Sequence, residues 1–142
     1  MKIQIELTSA EEERIVIYCN EITDEIKRIK QALEHRDKTL LGFLDDKSVV
    51  LKPEEILYFE AVDKKVFAYT KDCCYRMNQS LELLEELYEG LGFFRCSKAM
   101  IVNLQFISHF QSLMGNRIIA TLENGEEVIV SRHYAKILRQ RL

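Results

Sequence analysis

The stretch Arg117-Ile118-Ile119-Ala120-Thr121-Leu122-Glu123-Asn124-Gly125-Glu126-Glu127-Val128-Ile129-Val130 decides the fold class. Two short runs rich in β-branched residues, 117–122 and 126–130, flank the dipeptide that most favours a hairpin. Asn124 and Gly125 both tolerate the positive φ of a type I′ turn. Past this hairpin, Ser131 is placed to cap a last helix running from Arg132 to about Arg141. Tyr134, Ile137 and Leu138 pack from that helix, and its basic residues point outward.

The same texture continues upstream. Strands are expected near 107–113 and at 73–77, 66–70 and 56–62, with Asp63-Lys64-Lys65 as a tight turn and Ser97-Lys98 in a loop or helix start. Residues 39–44 and 47–51 flank Asp45-Asp46 as a further hairpin. Ser80 is placed to cap a helix over 81–89, with Leu81, Leu84, Leu87 and Tyr88 on its apolar side and Gly90 at its end. Many short strands with few helices predict a mostly-β, α+β fold. The first part of the chain reads differently. A leader over 1–38 shows two strand patterns, at 2–7 and 14–19, then a helix over 21–36 capped by Asn20 or Thr23. Its stripe of Ile22, Ile26, Ile29 and Leu33 is expected to pack on the chain's own sheet, the alternative being a dimer seam. The second unit then spans 39–142.

The 142 residues are 47% hydrophobic and 30% charged, with 5 Gly and 1 Pro, which excludes disordered and collagen-like chains. No apolar run approaches the ~20 residues of a membrane span, and the N-terminus lacks a signal-peptide core. A cytoplasmic protein without membrane insertion is expected. Net charge is −3, yet the charge is segregated. No acid lies between Glu89 and Glu123, where Arg95, Lys98 and Arg117 fall, nor in the last twelve residues, which hold Arg132, Lys136, Arg139 and Arg141. Glu82, Glu85, Glu86 and Glu89 collect on one helix. An acidic chain patterned this way can still turn a positive face to an anionic partner.

The sequence offers little reactive chemistry. Cys19, Cys73, Cys74 and Cys96 show no C-x-x-C spacing, and three histidines supply no zinc-ligand pair, so neither metal nor cofactor is expected. Reduced, structural thiols are the reading for a cytosolic chain. A Cys96–His109 or Cys96–His133 pair and the carboxylate pairs Glu54-Glu55 and Glu126-Glu127 make weak catalytic candidates, so the chain is not read as an enzyme. Lys64-Lys65, Ser97-Lys98 and Arg132-His133 with Lys136 suit DNA better. Basic side chains reach guanine's acceptor edge in the major groove, and Ser or a helix start suits a phosphate.

Three segments carry a resemblance to a known family. Ile56-Leu57-Tyr58-Phe59-Glu60-Ala61, Phe94-Arg95-Cys96-Ser97-Lys98-Ala99-Met100-Ile101-Val102-Asn103 and Val130-Ser131-Arg132-His133-Tyr134 together resemble the LytTR DNA-binding domain, over about residues 41–142. The resemblance implies an elongated arrangement of short antiparallel strands and small helices that reads duplex DNA through loops. It also implies a bacterial transcription regulator acting as a homodimer on direct repeats. Carried over position by position, the DNA-contacting residues are Lys64, Lys65, Ser97, Lys98, Arg132, His133 and Lys136, while Asn103, Phe59 and Tyr134 are structural. Val66 departs from the family, where a polar residue can stand near that position. The short leader fits a stand-alone member without a receiver domain, serving in dimerisation or partner contact. Rival readings are a protein-interaction module docked through the leader helix and a thiol redox sensor acting through Cys96.

Overall fold

The computed structural model describes residues 1–9, 12–35 and 39–142. Helix α1 spans Asp24–His35, α2 spans Leu81–Tyr88 and α3 spans Arg132–Arg141. Strands β1 (Leu40–Leu44), β2 (Lys47–Leu51), β3 (Ile56–Val62), β4 (Lys65–Thr70), β5 (Cys74–Met77), β6 (Phe93–Ser97) and β7 (Met100–Asn103) form an antiparallel sheet. Its order is β2-β1-β5-β4-β3-β7-β6. Strands β8 (Ile107–Leu113), β9 (Arg117–Leu122) and β10 (Glu127–Val130) form a second sheet in the order β10-β9-β8. The mostly-β, α+β expectation is met.

Two cores result. One face of the large sheet, through Ile56, Phe59, Val66, Ala68 and Met77, packs under Leu81, Leu84 and Tyr88 of α2. Val66 is one of these inward residues, which is why no polar side chain stands there. On the other face, Leu57, Phe94, Cys96 and Val102 meet Ile118, Ala120, Leu122, Val128 and Val130 of the second sheet and Ala135 and Leu138 of α3. Strands β6 and β7 serve both. Phe93 and Ile101 enter the first core, and Phe94 and Val102 the second, as alternation along a strand requires. Asn103 is buried where β7 ends. Its Nδ2 donates to the Ile56 carbonyl at 2.9 Å and its Oδ1 accepts from the Gln105 N–H at 3.1 Å, consistent with its structural assignment.

Several local expectations are corrected. Residues 2–7 and 14–19 form no strand and pair with none. The leader helix starts at Asp24, capped by Thr23, whose Oγ1 accepts from the Ile26 N–H at 3.2 Å. Its expected end at Arg36 and the boundary at residue 38 lie outside the described residues. Ile26 and Ile29 are half-buried, but Ile22 and Leu33 stay exposed. The main neighbours of α1 are α2 and the turn after it rather than a sheet: Gln31 donates to the Glu86 carbonyl, and Arg28 lies 3.9 Å from Glu89. After α2, Glu89–Leu91 continue as a 3-10 turn, and Gly92, not Gly90, ends it in the left-handed region at φ 88°.

The hairpin that set the fold class forms, but not as a type I′ turn. Only Gly125 takes a positive φ, at 92°. Its N–H donates to the Leu122 carbonyl at 2.9 Å, and the Leu122 N–H donates to the Glu126 carbonyl at 2.8 Å. This is a three-residue loop closed by a left-handed glycine, the next commonest hairpin solution. Asn124 keeps ordinary backbone and accepts the Glu126 N–H on its side-chain oxygen at 3.0 Å.

Gly42 of β1 is where the large sheet has least room. A Cβ there would stand 2.6 Å from Leu51 Cδ1 and 2.7 Å from Tyr75 Cβ. Gly42→Ala should therefore lower the unfolding free energy by about 1–3 kcal/mol, the usual cost of overpacking. Urea denaturation followed by circular dichroism reads this directly, and an unchanged midpoint would contradict the packing described.

Candidate nucleic-acid interface

The first contact segment is the β3–β4 turn. Val62 pairs with Lys65, so the turn is only Asp63-Lys64, and Lys65 is the first residue of β4 rather than part of the turn. Both turn residues are left-handed, with φ of 51° at Asp63 and 66° at Lys64, which matches a type I′ hairpin. A lysine in this region costs about 1 kcal/mol. Lys64 and Lys65 are exposed.

The second segment is the β6–β7 turn at Lys98-Ala99, where the sequence suggested a loop or helix start. Neither residue has positive φ. A turn of that kind mismatches strand twist, and the register shift between Arg95 and Ser97 absorbs the mismatch as a bulge at Cys96. Arg95 then fixes the turn from below. Its Nε donates to the Ser97 carbonyl at 2.7 Å and its Nη2 donates to the Lys98 carbonyl. Its other contacts reach α2, at 3.4 Å to Glu85 and 3.7 Å to Glu82. Only 8% exposed, Arg95 is a positioning residue and not part of the free positive surface that the charge pattern suggested. Ser97 Oγ accepts from the Ala99 N–H at 3.3 Å, leaving the Lys98 side chain exposed above the turn.

The third segment is the start of α3. Ser131 occupies the cap position, but its side chain makes no capping bond. Its backbone does the work instead: its carbonyl accepts from the Ala135 N–H at 2.7 Å, and its N–H donates to the Cys96 carbonyl at 2.9 Å. Arg132, His133 and Lys136 are exposed, while Ala135 and Leu138 point inward. Tyr134 is half-buried against the second core, with its ring edge-on to His133 at 4.8 Å.

Two backbone hydrogen bonds bring the three segments together. The Ala61 N–H at the end of β3 donates to the Ala99 carbonyl at 2.8 Å, and Ser131 reaches Cys96 as above. The β3–β4 turn, the β6–β7 turn and the α3 start therefore share one end of the molecule. Among the described residues, Lys64, Lys65, Lys98, Arg132 and Lys136 are in no ion pair, whereas Arg28, Arg95 and Arg141 are engaged by glutamates on or just after α2. Asp63 in the first turn is the acid nearest this group in sequence. Arg95 is the residue the sequence reading misassigned. Its place inside F-R-x-S-K, beside a strand buried on both faces, was the available signal. Among the described residues no group of three or more His, Cys, Asp or Glu gathers to hold a metal.

Cys96 sits under this end but not on it. It is 0% exposed, its Sγ donates to the Met100 carbonyl at 3.6 Å, and burial pushes its thiol from an ordinary value near 9 up to about 12. A buried neutral thiol lacks the thiolate character and access of a redox sensor. Because the folded value lies above the unfolded one, this thiol's contribution is complete below pH about 9. It is lost as pH rises from about 9 toward about 12. Iodoacetamide at pH 8 should label Cys19 and Cys74, both exposed, in the native protein, and Cys96 only after unfolding. Peptide mass mapping checks this, and rapid native labelling of Cys96 would restore the redox reading.

The family description of the LytTr DNA-binding domain matches residues 46–142. Curated relatives include uncharacterized HTH-type transcriptional regulators of Staphylococcus aureus strains MSSA476 and NCTC 8325. Each is 27% identical over 150 residues, covering 100% of this chain and 98% of the relative. The solved LytTr DNA-binding domain of a Bacillus cereus protein described as a methyl-accepting/DNA response regulator superposes with a TM-score of 0.69 at 26% identity. It covers 73% of this chain and 95% of that one. With one family description spanning more than half of its residues, and the three segments of that family's motif gathered at one end of the fold, this chain belongs to the LytTR DNA-binding domain family.

Proposed function

We propose that the chain is a sequence-specific transcription regulator that reads the major groove of duplex DNA through loops, acting in the cytoplasm as a homodimer on direct repeats. The observation that carries the reading is the pair of backbone bonds, Ala61 to Ala99 and Ser131 to Cys96. They tie together the two turns and the helix start that carry Lys64, Lys65, Lys98, Arg132 and Lys136. Backbone hydrogen bonds hold the turns in place before DNA arrives, so little ordering entropy is spent on binding. The start of α3 adds free N–H groups and the positive end of the helix dipole, both suited to a phosphate. The names of the Staphylococcus relatives support the regulatory role. No covalent chemistry is assigned to the site: its work is contact and shape.

Within the site the proposed roles differ with position. Lys98 stands on a braced turn and Lys136 one helical turn into α3, positions that suit phosphate. Arg132 and His133 open the helix, where side chains reach furthest toward base edges. Lys98→Ala should weaken binding to a selected operator by about 1 kcal/mol or more, without changing stability. Lys136→Ala should weaken all sequences alike and lower the salt slope by about one. Arg132→Ala or His133→Ala should relax the preference at one or two base pairs, costing roughly 1–3 kcal/mol on the cognate site alone. Fluorescence titrations at two salt concentrations against single-base operator variants separate these outcomes. A parent protein without specific, salt-steep binding would favour the interaction-module reading.

Lys64 gives a second, independent test, because its backbone strain and its charge act on different quantities. Lys64→Gly relieves about 1 kcal/mol of left-handed strain and adds roughly 0.5–1 kcal/mol of chain entropy cost. Stability should stay nearly constant while DNA affinity falls and the salt slope drops by about one. If affinity is unchanged too, the β3–β4 turn lies off the DNA.

A further inference from the structure

Arg117 and Arg139 come from the acid-free stretches but take no part in the three-segment site, and both are tied to one turn. Leu113 pairs with Arg117, so residues 114–116 form the tip between β8 and β9. Gly115 and Asn116 are left-handed there, with φ of 81° and 60°. The Arg117 Nε donates to the Met114 carbonyl at 3.1 Å, and the Arg139 Nη1 donates from α3 to the Asn116 carbonyl at 3.3 Å. Two guanidiniums therefore stand on one tip, each held by a single N–H with the others left over. Both residues are exposed, and neither is in an ion pair among the described residues. No acid lies in 107–117 or in 132–141 to compete for them. Like charges gathered this way repel until an anion sits between them.

The tip is continuous with the proposed DNA surface. Ile118 pairs with Val130, and Val130 runs directly into Ser131, so β9 begins beside the start of α3. On α3, Lys136 and Arg139 follow Arg132 by four and seven residues, spacings that return to the same face of a helix. The exposed cations thus form a stripe from the helix start to the β8–β9 tip. Arg139 lies roughly 10 Å along the axis from Arg132, about three base pairs of duplex. We propose that Arg117 and Arg139 clamp a backbone phosphate of the same duplex, beyond the bases read at the α3 start. The guanidinium fork matches two phosphate oxygens at once. Bracing each fork on a turn carbonyl removes part of the rotamer freedom that a loose arginine loses on binding. The clamp requires α3 to lie along the duplex, since an end-on helix would lift Arg139 away from it. It adds affinity and fixes orientation, and it reads no base.

The clamp rests on the DNA-binding reading proposed above, and the experiment separates the two. Parent, Arg117→Ala, Arg139→Ala and the double variant are titrated over a range of salt against two duplexes. One is a selected operator cut to its recognised bases, and the other is the same operator lengthened by about five base pairs on each side. On the long duplex each single variant should lower the salt slope by about one and the double variant by about two, weakening all sequences alike. On the cut operator the parent should lose that advantage and bind like the double variant. The pair Arg117→Lys/Arg139→Lys keeps both charges and should recover most of the slope, which distinguishes a lost phosphate contact from a disturbed turn. A double alanine variant with the parent's slope and affinity on the long duplex overturns the clamp and leaves the regulator reading standing. So does a loss confined to particular base pairs, because the tip would then be reading sequence, or a lysine pair no better than the alanine pair. A parent that binds no duplex specifically overturns both.

Discussion

The structure depends on one hairpin buried on both faces. Strands β6 and β7 put Phe93 and Ile101 under α2 and Phe94, Cys96 and Val102 against the second sheet and α3. Neither core is complete without them. Burying side chains on both faces of two short strands concentrates hydrophobic stabilisation there, at roughly 25 cal/mol per Å² removed from water. It also leaves no solvated side on which a charged group can stand. Arg95 is nonetheless in that hairpin, and it is tolerated because each edge of its guanidinium finds an acceptor: two turn carbonyls and two α2 carboxylates. Removing one partner of such a set would strand a buried charge, which is far costlier than the net worth of the pairs. The turn at Lys98-Ala99 is therefore fixed from inside the core.

Rigidity of the turn explains why the rest of the contact surface can be built from weak pieces. Beyond the β3–β7 ladder and the packing of α3, the β3–β4 turn and the α3 start are each tied to that hairpin by one further backbone hydrogen bond. One such bond is worth only about 1 kcal/mol net. It suffices here because the strands behind it are already held by packing, so the bond only sets the last ångström of register. Val66 shows the same logic at the neighbouring position: it faces the first core, anchoring the strand that carries Lys65 on the other face.

The strands were legible in the sequence wherever a turn residue and an alternating run coincided, as at Asp45-Asp46 between β1 and β2 and at Pro53 before β3. What escaped were features set by distant partners. Asn124-Gly125 announces a hairpin, but which turn forms depends on whether Asn124 adopts left-handed backbone or uses its side chain to accept the Glu126 N–H, and the second won. Ser131 reads as a capping side chain, yet its useful bond runs through its backbone to Cys96, thirty-five residues away. Arg95 reads as surface charge until α2 is seen to lie above it. The leader shows the converse error. Its local pattern is strand-like at 2–7 and 14–19, but a strand is a property of a pair, and these segments pair with nothing in the chain. Of the site, the three segments were legible as a motif. Their adjacency was not, because it rests on hydrogen bonds between backbones, to which side-chain identity is nearly blind.

A net charge of −3 is compatible with a DNA-binding surface because the charges are sorted by partner rather than spread evenly. Glu82, Glu85 and Glu89 hold Arg95, Arg28 and Arg141, so these acids and bases cancel around α2. Arg141 is further occupied by the Phe94 ring, 5.3 Å below its guanidinium. Lys64, Lys65, Lys98, Arg132 and Lys136, exposed and in no ion pair among the described residues, stand at the end where the turns converge. A cluster of unpaired cations at one end attracts a polyanion there, since the field falls off over roughly 8–10 Å at physiological salt. A uniformly basic protein would bind any DNA in any pose. By consuming Arg28, Arg95 and Arg141, the acids on and just after α2 keep these three arginines from adding to the positive surface, so the exposed lysines and Arg132 at the three turns carry the charge of that end.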